Sequence, residues 1–150
     1  MRYTVTNFDT PVAAKLLSQL HKLCFSKEWD EKAFSELLQL SSTTAQIISL
    51  AEKPCAFCLY QIVGEDAEIL TLGVIPDMRG NSVGHFLLSQ GIDPLVKAGV
   101  HRLFLEVSET NVSALKLYEQ FGFIKIGLRK NYYKEKDSRA DAIVMEKPLI

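Results

Sequence analysis

The chain predicts an α/β fold in which a mixed sheet carries helices on both faces. Two observations point there. After two helical segments the elements follow the order ββα-βαββ, which alternates strands with helices. The chain has 150 residues, 47% of them apolar, enough for one domain with a substantial core.

Each element has its own local reason. Residues 2–6 alternate as a strand does. Asp9 or Thr10 can cap a helix with Pro11 in its first turn, and Leu16, Leu17, Leu20 and Leu23 continue it at helical spacing. A second helix starts at Asp30 and ends near Leu40. Three β-type runs follow at 45–51, 55–63 and 68–75, with Gly64-Glu65-Asp66 as the turn between the last two. A helix is expected over 82–98, ended by Gly99, then a strand over 101–107 and a helix over 112–120 ended by Gly122. Strands near 123–133 and 140–147 close the chain. Pro94 falls inside the third helix, where it lacks an N–H and clashes with the carbonyl of Gln90. The expectation is a kink there, or a break and restart.

Composition narrows the function classes. Net charge is −1, which argues against direct nucleic-acid binding. No apolar run approaches the ~18 residues of a membrane span, and the first residues lack the apolar stretch of a secretory signal. Three cysteines, an odd number, fit a reducing compartment better than a disulfide framework. The expectation is a cytoplasmic domain without a membrane partner. Cys55 and Cys58 lack a second ligand pair, so no metal site is expected, and three apart on a strand they should face opposite sides. His21, His85 and His101 form no triad pattern with a Ser or Cys.

The stretch 105–123 carries the most chemistry: Leu-Glu-Val-Ser-Glu-Thr-Asn-Val-Ser-Ala-Leu-Lys-Leu-Tyr-Glu-Gln-Phe-Gly-Phe. It places a carboxylate (Glu106), an amide (Asn111) and a phenol (Tyr118) on consecutive elements. On the strand, Glu106 shares a face with Arg102, Phe104 and Ser108, while Leu103, Leu105 and Val107 share the other. Partial burial among apolar neighbours would suit Glu106 to a general base, although for a lone Glu a surface carboxylate on an edge strand is the favoured reading. Asn111 can cap the next helix. Tyr118 reads as a core aromatic or as the acid that protonates a departing thiolate. Upstream, Val74-Ile-Pro-Asp-Met-Arg79-Gly80-Asn81-Ser82-Val83-Gly84-His85 joins a strand to a helix start. Its glycines and unpaired amides could approach a diphosphate, or form an ordinary turn. Neither a dinucleotide fingerprint nor a P-loop is present.

Together these pieces resemble the GNAT superfamily of acetyl-CoA-dependent N-acetyltransferases, over nearly the whole chain. The stretches that carry the resemblance are 68–74, the turn, 105–107 and 111–123. The segments Leu117-Tyr-Glu119, Arg129-Lys-Asn-Tyr-Tyr133 and Asp141-Ala-Ile-Val-Met145 look like the RimI type, the ribosomal-protein-alanine N-acetyltransferases. The resemblance implies a GNAT-type mixed, mostly antiparallel sheet. It implies Glu106 as general base and Tyr118 as general acid. It implies that Leu72, Gly73 and Val74 pair with the pantetheine arm, that Arg79, Gly80, Asn81, Ser82, Val83, Gly84 and His85 hold the diphosphate, and that Asn111 touches the cofactor. Tyr132 and Tyr133 would wall the acceptor peptide. The superfamily motif is Gln/Arg-x-x-Gly-x-Gly/Ala, and here Ser82 replaces its first glycine. If the geometry is kept, Ser82 adopts a left-handed conformation costing roughly 1 kcal/mol or more.

The implied reaction is direct attack of a neutral amine on the thioester, with acetyl-CoA as co-substrate. At pH 7 roughly a tenth of α-amines are neutral, against well under ~0.1% of lysines, so one Glu suffices for an N-terminal amine. Three readings stand: acetylation of the N-terminal alanine of a small-subunit ribosomal protein, acetylation of a small amine or a Lys side chain, and non-catalytic acyl-CoA binding. Oligomeric state is not legible.

Overall fold

The computed structural model describes residues 2–26, 29–80, 82–134 and 139–149. The elements are β1 (Tyr3–Phe8), a 3-10 turn (Pro11–Ala13), α1 (Ala14–Cys24), α2 (Glu31–Leu38), β2 (Thr43–Leu50), β3 (Lys53–Val63), β4 (Asp66–Val74), a second 3-10 turn (Pro76–Met78), α3 (Val83–Lys97), β5 (Arg102–Ser108), α4 (Val112–Gln120), β6 (Ile124–Lys134) and β7 (Arg139–Pro148). The strands form a seven-stranded sheet in the order β1-β2-β3-β4-β5-β7-β6. Among the described residues only the β4–β5 pair is parallel. This is the mixed, mostly antiparallel sheet of the expectation.

Apolar alternation on the strands sends residues to two cores, one on each face. On one face Cys58, Tyr60, Ala67, Ile69, Leu103, Leu105 and Val107 meet α3 and α4. On the other, Ala45, Ile47, Phe57 and Leu59 meet α1 and α2. Asp30 caps α2 as expected, its Oδ1 accepting the Ala33 N–H at 2.8 Å. Thr10 makes no side-chain cap bond, and Pro11 opens a 3-10 turn before α1 proper.

Two local expectations change. α3 runs from Val83 to Lys97 with Pro94 inside it, so the break does not occur. The carbonyl of Gln90, which Pro94 leaves without its helical donor, instead accepts the Gln46 side-chain amide of β2 at 3.2 Å. The sheet supplies the missing bond. Cys55 and Cys58 also share one core cluster rather than opposite faces. The β2–β3 register shifts between Ile48 and Ser49, leaving Cys55 as an extra residue that breaks the alternation.

Candidate active site

The parallel pairing of β4 and β5 is short. Residues 66–69 stand in register with 102–105, and there it ends. The cause is local: Leu59 of β3 opposes Thr71 and Tyr60 opposes Ile69, so Leu70 is an extra residue in β4. A bulge bends its strand and increases its twist. Past Leu70, β4 leaves β5, which stays with β7 from Arg102 to Ser108. At the closed end Arg102 ties three strands, with Nε 3.2 Å from Asp66 Oδ1 and Nη1 3.5 Å from Glu146 Oε1. A V-shaped opening results between residues 71–74 and 106–108.

The ladder decides which peptide groups face this opening. The Ile75 N–H donates to the Cys55 carbonyl at 2.9 Å, so Ile75 and Gly73 turn toward β3. Leu72 and Val74 therefore turn away from β3, into the opening. The Val74 carbonyl accepts from Arg79 Nε at 3.1 Å. Gly73 serves packing instead, since a Cβ there would lie 2.7 Å from the Phe57 ring and 2.9 Å from Cys24 Sγ.

The turn after β4 places Gly80 at φ +81° and Ser82 at φ +61°. Ser82 thus holds the left-handed conformation expected of it, and it makes no side-chain cap bond. The Ser82 carbonyl accepts the Phe86 N–H at 3.1 Å, so the amides of Val83, Gly84 and His85 belong to a first turn without intrahelical acceptors. The Val83 side chain is buried in the core. The missing Cβ of Gly84 admits Leu117, whose Cδ2 would lie 2.8 Å from it. His85 is engaged by α4, with Nε2 3.1 Å from Gln120 Oε1. Asn81 lies outside the described residues.

Both ends of α4 fix Tyr118. Asn111 caps the helix, its Oδ1 accepting the Ala114 N–H at 3.2 Å. Gly122 takes φ +97°, and the Phe123 N–H donates to the Tyr118 carbonyl at 2.9 Å. The Tyr118 and Phe123 rings pack edge to face at 5.6 Å, the apolar contact that accompanies this type of helix end. Tyr118 is only 6% exposed. Burial, then the nearby Cys58 and Tyr133, push its phenol above the usual tyrosine range. At neutral pH it carries a proton that it can give.

Glu106 lies on the other face. Its neighbours Leu105 and Val107 enter the α3–α4 core beside Tyr118, so alternation turns Glu106 away from it. The opening joins the two faces, because no strand separates β4 from β5 there. Instead of apolar neighbours alone, Glu106 has a guanidinium partner on β6. Arg129 Nε lies 3.3 Å from Oε1, and Nη1 donates to Oε2 at 3.5 Å. The Arg129 guanidinium carbon sits 4.8 Å from the centre of the Tyr132 ring. A bulge presents this group: Arg129 opposes Ala142 and Tyr133 opposes Ala140, so residues 130–132 face Asp141 alone. Asn131 takes φ +55° there, and its N–H donates to Asp141 Oδ1 at 2.8 Å.

Tyr133 links the two faces. Its hydroxyl reaches across β7 and donates to the Glu106 carbonyl at 3.4 Å. Burial, then the charges of Glu106 and Tyr132, push its phenol up to about 12. It interacts electrostatically with both Glu106 and Tyr118. Glu106 also borders a cavity of about 300 Å³, lined with it by Gln61, Glu68, Phe104 and Val144. Burial, then the Glu106 charge, raise the Glu68 carboxyl, and Arg129 opposes them. Sequence reasoning missed the Arg129–Glu106 pair, the bridging Tyr133 and the neighbouring Glu68. The available signal was Arg129 four residues before Tyr133 on one strand, but the bulge that turns both toward β5 has no sequence mark.

Comparisons with known proteins agree with this architecture. The model of the acetyltransferase (GNAT) family matches residues 14–123. The chain is 35% identical over 141 residues to the ribosomal protein bS18-alanine N-acetyltransferase of Escherichia coli, across 94% of this chain and 92% of that protein. It is 32% identical over 146 residues to the enzyme of the same name from Salmonella typhimurium, again across 94% and 92%. The crystal structure of the ribosomal-protein-S18-alanine N-acetyltransferase from Escherichia coli superposes with a TM-score of 0.91 at 32% identity, covering 99% of this chain and 94% of that one. With a family match from the start of α1 to just past α4 and relatives above 30% identity along almost its whole length, this protein belongs to the GNAT family of acetyltransferases.

Proposed function

We propose that residues 1–150 act as one cytoplasmic domain that moves the acetyl group of acetyl-CoA onto the α-amine of an N-terminal alanine, in a small-subunit ribosomal protein of the bS18 kind. The observation that carries this reading is the opening between β4 and β5, with a buried phenol below it and a carboxylate above it. Relatives named for that reaction, similar along almost the whole chain, support the acceptor.

Acetyl-CoA supplies the activated thioester. The peptide groups of Leu72 and Val74 face the opening and can pair with an extended pantetheine arm as a neighbouring strand would. Arg79 must release the Val74 carbonyl for this. Gly80, Asn81 and Ser82, with the amides of Val83, Gly84 and His85, meet the diphosphate at the start of α3. The Asn111 oxygen is used by the helix cap, so its amide NH2 is the group left to touch the cofactor. Glu106 takes the proton of the attacking amine, directly or through water, as the C–N bond forms. Tyr118 gives its proton to the departing sulfur as the C–S bond breaks. No cysteine takes part. Tyr132 and Tyr133 border the path of the acceptor peptide.

The test uses acetyl-CoA and three peptides: one with free N-terminal Ala, one with the same end blocked, and one blocked but containing Lys. Mass spectrometry should find acetylation of the first only. Acetyl groups mainly on Lys would overturn the acceptor, and no transfer to any peptide despite acetyl-CoA binding would leave only a binding domain.

A further inference from the structure

The groups around Glu106 carry an inference that rests on the acceptor reading above and deepens it. The carboxylate is held at two points by Arg129, through Nε at 3.3 Å and Nη1 at 3.5 Å. Such a fork orients the carboxylate toward β6. The other side of the guanidinium is occupied by the Tyr132 ring at 4.8 Å. Arg129 is therefore lodged between the candidate base and an aromatic side chain of the acceptor wall. It comes from β6, two strands from Glu106, so the pairing is tertiary and not a by-product of the β5 ladder.

A fixed positive charge at this point matters for the amine that must approach. A lone carboxylate attracts an ammonium ion. A carboxylate whose charge is balanced at 3.3 Å attracts it far less, and the guanidinium itself repels it. The other titratable groups facing the pair are Glu68 from β4 and Tyr132 and Tyr133 from β6; from β7 it is the apolar Val144 that stands opposite Glu106. Burial and the Glu106 charge raise the Glu68 carboxyl, and Arg129 opposes them, so Arg129 acts on both carboxylates.

We propose that Arg129 is the specificity-determining positioning residue of this site: by balancing the charge of Glu106 it denies an ammonium ion a favourable approach and selects acceptors whose amine enters neutral. Terminal α-amines, roughly a tenth neutral at pH 7, pass this filter; lysine side chains, well under ~0.1% neutral, do not. The preference for an N-terminus over a lysine then comes from a charge as well as from the walls of the groove.

The test compares the wild type with Arg129→Gln and Arg129→Lys on the free-Ala peptide and the blocked Lys peptide, measuring kcat and KM separately, with acetyl-CoA affinity by titration calorimetry. Arg129→Gln should lower kcat on the Ala peptide, because the base is less well aligned. It should also lower KM for the Lys peptide, so that the Nα:Nε ratio of kcat/KM falls about tenfold, the scale set by one unbalanced charge. Arg129→Lys keeps the charge and should keep most of the ratio, and acetyl-CoA affinity should be unchanged in both. Arg129→Lys separates charge from shape, because it truncates the guanidinium and keeps the charge. If the wild type discriminates and Arg129→Gln discriminates equally, the role of Arg129 is overturned while the acceptor reading stands. If the wild type itself favours the Lys peptide, both fall together.

Discussion

The two faces of the sheet treat their reactive side chains in opposite ways. Under α3 and α4, Tyr118 is sealed among Tyr60, Leu105, Val107 and Phe123. On the other face α1 and α2 cover β2, β3 and part of β4 without reaching β5, leaving Glu106 beside a cavity. The difference suits the chemistry proposed for each. A phenol kept dry retains its proton at neutral pH and can hold it toward a departing sulfur. A base must meet an amine that comes from solvent. In the proposed reaction, the parting of β4 from β5 lets Glu106 meet the attacking amine and Tyr118 the departing sulfur from opposite sides of the sheet.

The comparison breaks most sharply if each residue is disarmed in turn. Glu106→Gln keeps the shape and removes the base; Tyr118→Phe removes only the hydroxyl. Each should lower kcat by ~10²–10⁴ with little change in acetyl-CoA affinity. Near wild-type turnover in both variants at saturating substrate would sink the assignment.

The covered part of the open face can be loosened by acid. His21 is buried among Phe25, Trp29, Phe34 and Phe57, and the Trp29 N–H donates to its Nδ1 at 3.1 Å. An acceptor nitrogen carries no proton, and burial pushes this imidazole down from 6.5 to about 4. The folded pKa is the lower one, so the unfolded chain binds the extra proton. Stability is therefore present above pH 6.5 and lost as pH falls toward 4, by roughly 3 kcal/mol at full development. Denaturant unfolding at pH 7 and pH 4.5 should show this loss in the wild type and a smaller one in His21→Gln. Equal losses would rule out His21 as the source.

The sealed face should be intolerant of added volume. A Cβ at Gly91 of α3 would collide with the Tyr60 hydroxyl oxygen, and Tyr60 is 2% exposed. Gly91→Ala should destabilise by ~1–3 kcal/mol despite the better helix propensity of Ala. Adding Tyr60→Phe, which removes the clashing oxygen, should recover part of that loss in thermal unfolding. No recovery would place the clash elsewhere.

The smallest effect belongs to the turn that serves both faces. Ser82 sits at φ +61°, where a Cβ costs about 1 kcal/mol and a hydroxyl bonded to phosphate could return a similar amount. Ser82→Ala should weaken acetyl-CoA binding, and Ser82→Gly should bind as well as the wild type or slightly tighter. Calorimetry showing Ala and Gly variants to be equal would mean that neither strain nor hydrogen bond acts there.

Much of this was legible before any coordinates. The helix caps at Asp30 and Asn111, the stop at Gly122 and the alternation along β5 are local patterns, and they appear where expected. Pro94 marks a missing donor in the sequence; of the kink or break it allows, the continuous α3 removes the break, and the compensating amide belongs to Gln46, 44 residues away. Gly84 reads equally well as an approach for phosphate or as space for Leu117, and only the packing of α4 on α3 shows that space.

By itself, then, the sequence determined the elements, their order, the two apolar faces and the residue types able to move a proton, since all of these depend on neighbours a few positions apart. Tertiary structure decided that β4 parts from β5 after Leu70, that Arg129 and Tyr133 cross β7 to reach Glu106, and that Tyr118 is sealed while Glu106 stays reachable. The physical reason is that bulges, strand order and side-chain reach between strands follow from how the whole sheet twists and packs, and no local pattern encodes which distant strand becomes a neighbour.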